Sequence, residues 1–351
     1  MQRLPRYRTG DPDVDALVAQ VVDRSGTLEN QDLIFELMAT AVRLARANTN
    51  RGDLKIANAA LKEMRNAFGT FAPYRSERKV AIFGSARTKV TDPLYAHARD
   101  LASALVAQDW MVITGAGPGI MSAGIEGAGA ENSFGVGIRL PFEATTSSFI
   151  ADDPKLVNFR YFFTRKLTFI KESSGFVLLP GGFGTMDEAF ELLTLVQTGK
   201  SNPAPIVLLD VPGVTYWDTW AEFVERELMA PGYVSPEDMA LVKITDSIDE
   251  AVQEVTTFYR NYHSQRFVGS DLVIRTLHPL TSEALEACTQ DFADIIVDGK
   301  IEAVETTAAE RADDDQVDLA RIAFHFDRHH WARLRQLIDR INDPSAFAAQ
   351  S

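Results

Sequence analysis

Between Asn30 and Asn48, apolar residues fall at Leu33, Ile34, Leu37, Met38, Ala41, Val42, Leu44 and Ala45. That spacing draws one stripe along a helix. A second striped helix is expected from about Asp53 to Phe68, and a shorter one from about Val14 to Val22. Phe71-Ala-Pro-Tyr-Arg breaks the period and reads as a linker. From Arg78 the texture changes. Short apolar runs at Val80–Phe83, Met111–Thr114, Ser133–Ile138, Gly175–Leu179, Ile206–Leu209 and Ala240–Ile244 alternate with helical patterns. The helical patterns lie near Leu94–Gln108, Gly119–Ala130, Phe162–Glu172, Met186–Thr198 and Trp217–Leu228. Strands that are apolar throughout, separated by helices, predict a parallel sheet covered on both faces.

The last stretch reads differently. Strands are expected at Leu272–Leu277, Ile301–Val304 and Ala320–Phe326, with helices over Ser282–Ile295 and His329–Ile341. Ala308–Asp318 is acidic and reads as a loop. The predicted fold class is therefore α/β, a Rossmann-like doubly wound parallel sheet. It carries an N-terminal helical extension and a small C-terminal α+β appendage, ferredoxin-like in half. The expected domains are 1–75, 76–262 and 263–351.

Composition narrows the function. The chain has 351 residues, 46% hydrophobic and 24% charged, which is ordinary globular usage. Its net charge of −14 shows no basic stripe that would displace counterions from nucleic acid. One cysteine, Cys288, excludes an internal disulfide and a Cys-type structural zinc site. No apolar run is long enough to span a membrane. Met1–Asp11 is polar and basic and lacks the apolar core of a secretory signal, so a reducing cytoplasm is the expected compartment.

Three glycine segments follow strand signals. They are Gly84-Ser85-Ala86, Gly115-Ala-Gly117-Pro-Gly119-Ile-Met121, and Pro180-Gly181-Gly182-Phe-Gly184-Thr185-Met-Asp-Glu188. At the carboxyl ends of parallel strands, glycines let backbone N–H groups approach phosphate oxygens, and a following helix N-terminus adds partial positive charge. Each segment alone also suits an ordinary strand-to-helix turn. None has the dinucleotide G-x-G-x-x-G spacing, and no G-x-x-x-x-G-K-[ST] is present.

Thr185-Met-Asp-Glu188 has the spelling of a capping box, with Thr at N-cap and Glu at N3, so Glu188 could simply close a helix end. The functional alternative is a first-turn carboxylate, kept ionised by the helix dipole, that stabilises positive charge or activates water. Arg165, on the helix leading into Gly175–Leu179, is its candidate partner. The bland reading of Arg165-Lys166 is a solvated surface pair.

Arg165-Lys166 followed by Pro180-Gly-Gly-Phe-Gly-Thr-Met-Asp-Glu188 resembles the LONELY GUY (LOG) family, whose pattern is R-K and then P-G-G-x-G-T-x-x-E. Thr194 and Gln197 fit the T-x-x-Q that follows the motif. Thr114–Met121 and Phe83-Gly84-Ser85 fit its upstream loops. The resemblance covers roughly residues 78–255. Family members are nucleoside 5′-monophosphate phosphoribohydrolases that release a free base and ribose 5-phosphate. The resemblance implies that Arg165 and Glu188 are catalytic, and that Gly181, Gly182, Gly184 and Thr185 hold the 5′-phosphate. Gly84, Ser85, Gly115, Gly117, Gly119, Met121, Lys166 and Thr194 would line the nucleotide pocket. It implies no metal or redox cofactor, and a homo-oligomer with the site completed near a subunit interface.

Plant-type members carry His-Glu before Arg-Lys, where this chain has Phe163-Thr164, and a third glycine where it has Ala116. Both departures, with the added termini, resemble longer bacterial members, for which AMP is as good a candidate as N6-prenyl-AMP. The label lysine decarboxylase attached to many relatives does not suit this chain, because no residue marks a Schiff-base lysine site. The alternatives are a nucleotide sensor on the same fold, a hydrolase whose appended domains bind an allosteric nucleotide, and, more distantly, a nicotinamide-dependent dehydrogenase. His325, Asp327, His329 and His330 could suggest a metal, but they read better as strand and N-cap residues. Trp217, Trp220 and Cys288 read as packing residues.

Overall fold

The computed structural model describes residues 5–26, 29–139 and 147–347, so the start of the basic Met1–Asp11 stretch lies outside the described residues. The chain divides into two compact units, Met1–Arg65 and Asn66–Ser351. In the first unit, helices α1 (Pro12–Arg24) and α2 (Gln31–Arg46) pack through Val18, Val22, Phe35 and Ala39. The expected stripe of α2 is not its packed face: Leu33, Ile34 and Leu37 are exposed, and Phe35 and Ala39 point inward. Helix α3 (Arg51–Phe71) begins in this unit, where its Leu54, Ile56 and Leu61 are also exposed.

The end of α3 corrects the linker reading. The helix runs through Phe71, whose fully buried ring stacks on Phe134 at 4.3 Å between centroids. Only Ala72–Tyr74 breaks into a 3-10 turn. In the second unit follow β1 (Lys79–Phe83), α4 (Pro93–Val106), β2 (Met111–Thr114), α5 (Ile120–Ala128), β3 (Ser133–Ile138), β4 (Leu156–Phe159), α6 (Phe162–Glu172) and β5 (Gly175–Leu178). Then come α7 (Phe183–Gln197), β6 (Ile206–Leu209), α8 (Tyr216–Val224), β7 (Lys243–Thr245) and α9 (Ile248–Thr257). The seven strands form one parallel sheet in the order β4-β3-β2-β1-β5-β6-β7.

Alternation along each strand feeds two cores. Val80 and Ile82 face α4, α5 and α9 with Leu101, Leu105, Ala123 and Val255. Ala81 and Phe83 face the other side, with Phe169 of α6, Leu192 of α7 and Trp217 and Trp220 of α8. Both tryptophans are packing residues, as expected. Two strand readings shift. Edge strand β4 carries a polar Asn158 in its short run and escapes the apolar pattern. Residues 240 and 241 belong to a 3-10 turn, so β7 starts at Lys243.

The C-terminal part comprises β8 (Tyr262–Val268), β9 (Asp271–Thr276), α10 (Ser282–Asp291), β10 (Glu302–Ala303), α11 (Ala308–Asp313), β11 (Ala320–Phe324) and α12 (Trp331–Ile341). Its sheet runs β10-β11-β9-β8, with every pair antiparallel. β9, α10 and β10 thus form a split βαβ with β11 inserted. β8 was not expected, because His263, Ser264, Gln265 and Arg266 make it polar. The acidic loop reading of Ala308–Asp318 is also corrected. Its first half is a helix, capped by Thr307, whose Glu310 is fully buried between Arg275 and Arg321. Cys288 is a buried core residue.

Candidate active site

β1 and β5 are neighbours at the centre of the sheet, where the chain's crossovers reverse, the switch point at which open parallel sheets bind ligands beyond their carboxyl ends. The glycine loops meet there. The Ser85 N–H donates to the Pro180 carbonyl at 3.2 Å, and the Ile120 N–H donates to the Ser85 carbonyl at 3.1 Å. Gly119 takes φ +67, and a Cβ there would stand 2.3 Å from the Ser85 carbonyl oxygen. A Cβ on Gly181 would stand 2.1 Å from Thr185 Oγ1. Gly119 is required for close backbone approach, and Gly181 leaves room for the Thr185 side chain. Ala116, at the position of the expected third glycine, also takes a left-handed φ of +57, which costs a side-chain-bearing residue about 1–2 kcal/mol.

Gly182 and Gly184 differ from the others. Open space lies where their Cβ atoms would be. Gly182 is the N-cap of α7 and offers no side chain, so the Phe183 and Gly184 N–H groups are available to an anion, while the Thr185 N–H donates to the Gly182 carbonyl at 3.1 Å. This frame removes the capping-box reading. Helix α7 starts at Phe183, which puts Thr185 at its third position and Glu188 in its second turn. Gly182, lacking a side chain, lets the helix start two residues before the threonine.

Glu188 is buried, at 6% exposure, and no hydrogen bond holds its carboxyl among the described residues. Burial pushes its pKa up to about 7, opposed by Lys166 and Arg165 and assisted by Glu191 and Asp187. The expectation of a carboxylate fixed in the ionised form is therefore corrected. Glu188 lies beyond the first turn, where the dipole is strongest, and desolvation outweighs the cations. A group near 7 can both accept and return a proton at neutral pH.

Arg165 is aimed by two contacts and by the space left beside Gly115. Its Nε donates to the Val136 carbonyl at 2.9 Å, and its guanidinium lies over the Phe169 ring at 5.2 Å. Gly115 makes room for it, since a Cβ there would sit 2.5 Å from Arg165 Nη2 and from Met121 Sδ. Arg165 makes no direct ion pair with Glu188 but acts on it through space. Met121 likewise fills the space beside Gly117. The structure thus brings together Gly84, Ser85, Gly115, Gly117, Gly119, Met121, Arg165, Gly181, Thr185 and Glu188.

Two expected pocket residues are engaged in other contacts. The Lys166 ammonium is taken up by Asp187 and Glu191, each at 2.8 Å. Thr194 is exposed, about 9 Å further along α7 than Glu188, and its hydroxyl donates to the Phe190 carbonyl. Gln197 donates to Asp238 rather than facing the site. Tyr216 was not anticipated. Its hydroxyl donates to the Gly181 carbonyl at 2.6 Å and so braces the Pro180–Gly184 loop. No spacing marks it in the sequence, because it opens α8, 35 residues after the glycine it contacts.

Among the described residues no group of three His, Cys, Asp or Glu gathers in a way that would hold a metal ion. No described helix is long and apolar enough to cross a membrane.

A family profile described as "Possible lysine decarboxylase" matches residues 119–255. A cytokinin riboside 5′-monophosphate phosphoribohydrolase of Arabidopsis thaliana is 31% identical over 94 residues, covering 27% of this chain and 42% of the relative. A probable one of Oryza sativa is 30% identical over 114 residues, covering 32% and 51%. The chain thus spans about half or less of these plant relatives' own length. The enzyme of that name in Mycobacterium marinum is 27% identical over 159 residues, covering 44% of this chain and 80% of the relative. Among solved structures, a molybdenum cofactor binding protein from Rippkaea orientalis is 16% identical with a TM-score of 0.37, covering 52% of this chain and 96% of that one. The Arg-Lys and Pro-Gly-Gly-x-Gly-Thr-x-x-Glu constellation lies at the sheet's switch point, and the sequence matches support the likeness to the LOG family.

Proposed function

We propose that this chain hydrolyses the N-glycosidic bond of purine nucleoside 5′-monophosphates, AMP or its N6-prenyl form, to the free base and ribose 5-phosphate. The observation that carries the reading is Glu188: a buried carboxyl near neutrality, beside Arg165, one turn behind an open helix N-terminus. The 5′-phosphate sits against the N–H groups of Gly182, Phe183 and Gly184, and its binding energy fixes the sugar. Bond breaking builds oxocarbenium character at C1′, which a carboxylate stabilises. As the water oxygen bonds to C1′, Glu188 takes the water proton. The C1′–N electron pair leaves with the base, and the proton on Glu188 is available to that nitrogen.

Arg165 stays charged and offers its outward N–H groups to phosphate or ribose oxygens. No metal or redox cofactor enters this scheme. Exposed Phe162, Phe163, Leu167 and Phe183 lie on the two helices that carry Arg165 and Glu188, which suits a homo-oligomer.

The test is base release from AMP, N6-prenyl-AMP, GMP, IMP, CMP and UMP, followed by chromatography. Wild type should release a purine, and Glu188→Gln should lower that rate about 10²–10⁴-fold with binding retained. Binding without release from any nucleotide would transfer the assignment to a nucleotide sensor.

A further inference from the structure

Helix α7 carries three carboxylates at Asp187, Glu188 and Glu191. Asp187 adjoins Glu188 in the chain, and Glu191 follows it at i+3, which places it on nearly the same face. Such crowding should repel negative charge from the site. A single cation answers it. Lys166 of α6 reaches across with its side chain 13% exposed, and its Nζ lies 2.8 Å from Asp187 Oδ2 and 2.8 Å from Glu191 Oε2. An ammonium so engaged on both sides is poorly placed to take a substrate phosphate as well.

We propose that Lys166 is a positioning residue for Glu188: by bridging Asp187 and Glu191 it shields Glu188 from the two carboxylates that flank it on α7. The proposal rests on Glu188 being the working carboxyl. The charges acting on Glu188 are consistent with it. Lys166 is the foremost cation lowering its pKa, ahead of Arg165, while Glu191 and Asp187 raise it. These four groups, two on α6 and two on α7, are the charged side chains that act most strongly on Glu188. Removing the lysine would leave both acids without their shared ammonium and Arg165 as the foremost cation acting on the carboxyl.

The role differs from a plain strut between α6 and α7. A strut would change the melting temperature and leave the titration of Glu188 in place. A shield must move that titration.

The experiment needs no substrate. The full chain is labelled with ¹³C at glutamate carboxyls, and Glu188 is assigned by the signal missing in Glu188→Gln. Its titration is then followed by NMR in wild type, Lys166→Met, Lys166→Arg and Glu191→Gln. Lys166→Met should move the Glu188 midpoint upward by about one pH unit, a tenfold smaller ratio of ionised to neutral carboxyl at any given pH. Lys166→Arg should restore the wild-type midpoint. Glu191→Gln should move it downward, and this variant decides the matter should Lys166→Met not fold. Midpoints that stay in place in the folded variants would overturn the proposal. Because the readout is the carboxyl itself, a chain that releases no base can still show the shield, and an active chain can still lack it.

Discussion

Two Thr-x-x-Glu tetrads in this chain have opposite fates. Thr307-Ala-Ala-Glu310 forms a reciprocal capping box at the start of α11. Glu310 is fully buried, yet every demand of its carboxylate is met. Thr307 donates from both N–H and hydroxyl, Arg275 Nε from 2.9 Å and Arg321 Nε from 3.2 Å. Burial pushes its pKa up, but those bonds prevail and hold it at about 2. Thr185-Met-Asp-Glu188 has the same spelling and makes no cap. Its carboxyl is buried without hydrogen bonds among the described residues and is pushed up to about 7. The difference separates structure from chemistry. A carboxylate saturated with donors stabilises its surroundings and is inert, whereas one that is desolvated and unsaturated costs stability and can move protons.

Substitution should expose the contrast as effects of opposite sign. The larger belongs to Glu310. Glu310→Gln leaves Arg275 and Arg321 facing a neutral amide in a buried place, and loss of a partner from such a group costs about 3–5 kcal/mol. Urea unfolding at neutral pH should show a loss of that order. An unchanged midpoint would reduce the triad to decoration. The wild-type contribution has a definite pH window. A carboxyl held at about 2 in the fold and near 4.5 in the unfolded chain stabilises fully above pH 4.5, and this is lost as pH falls toward 2.

Glu188 should behave inversely, with a smaller amplitude. Its folded pKa lies above its unfolded value, so the fold is penalised as pH rises from 4.5 through 7. Glu188→Gln removes the ionisation. At pH 8 the variant should be more stable than wild type by up to about 3 kcal/mol, and the advantage should vanish near pH 4. Thermal unfolding at the two pH values measures it. A variant no more stable at pH 8 than at pH 4, relative to wild type, would mean that Glu188 is solvated or satisfied after all.

Much of this was legible in the sequence. β2, β3 and β6 have the expected bounds, because a strand buried on both faces cannot hide among polar residues. The same logic explains the misses: β8 is half-exposed and polar, and β4 is a four-residue edge strand. For the site, the motif located Arg165, Glu188 and the glycine loops. It could not set the helix frame, because a Thr-Glu spacing reads the same whether the helix starts at the threonine or two residues before it. Nor could it show that Lys166 is occupied, since Asp187 and Glu191 face it only once α6 and α7 lie side by side. Glu310 was hidden for a similar reason. Its partners Arg275 and Arg321 come from two strands, and an acidic stretch between them reads as solvent-exposed.

The most direct measurement is the pH dependence of kcat/KM for base release from the nucleotide the chain prefers, taken from about pH 5.5 to 9. The account predicts a limb with its midpoint near 7, set by Glu188 in the free enzyme. A profile that is flat across this range, with any inflection left near the ordinary carboxylate value, would contradict the claim that a buried, unsaturated Glu188 performs the chemistry.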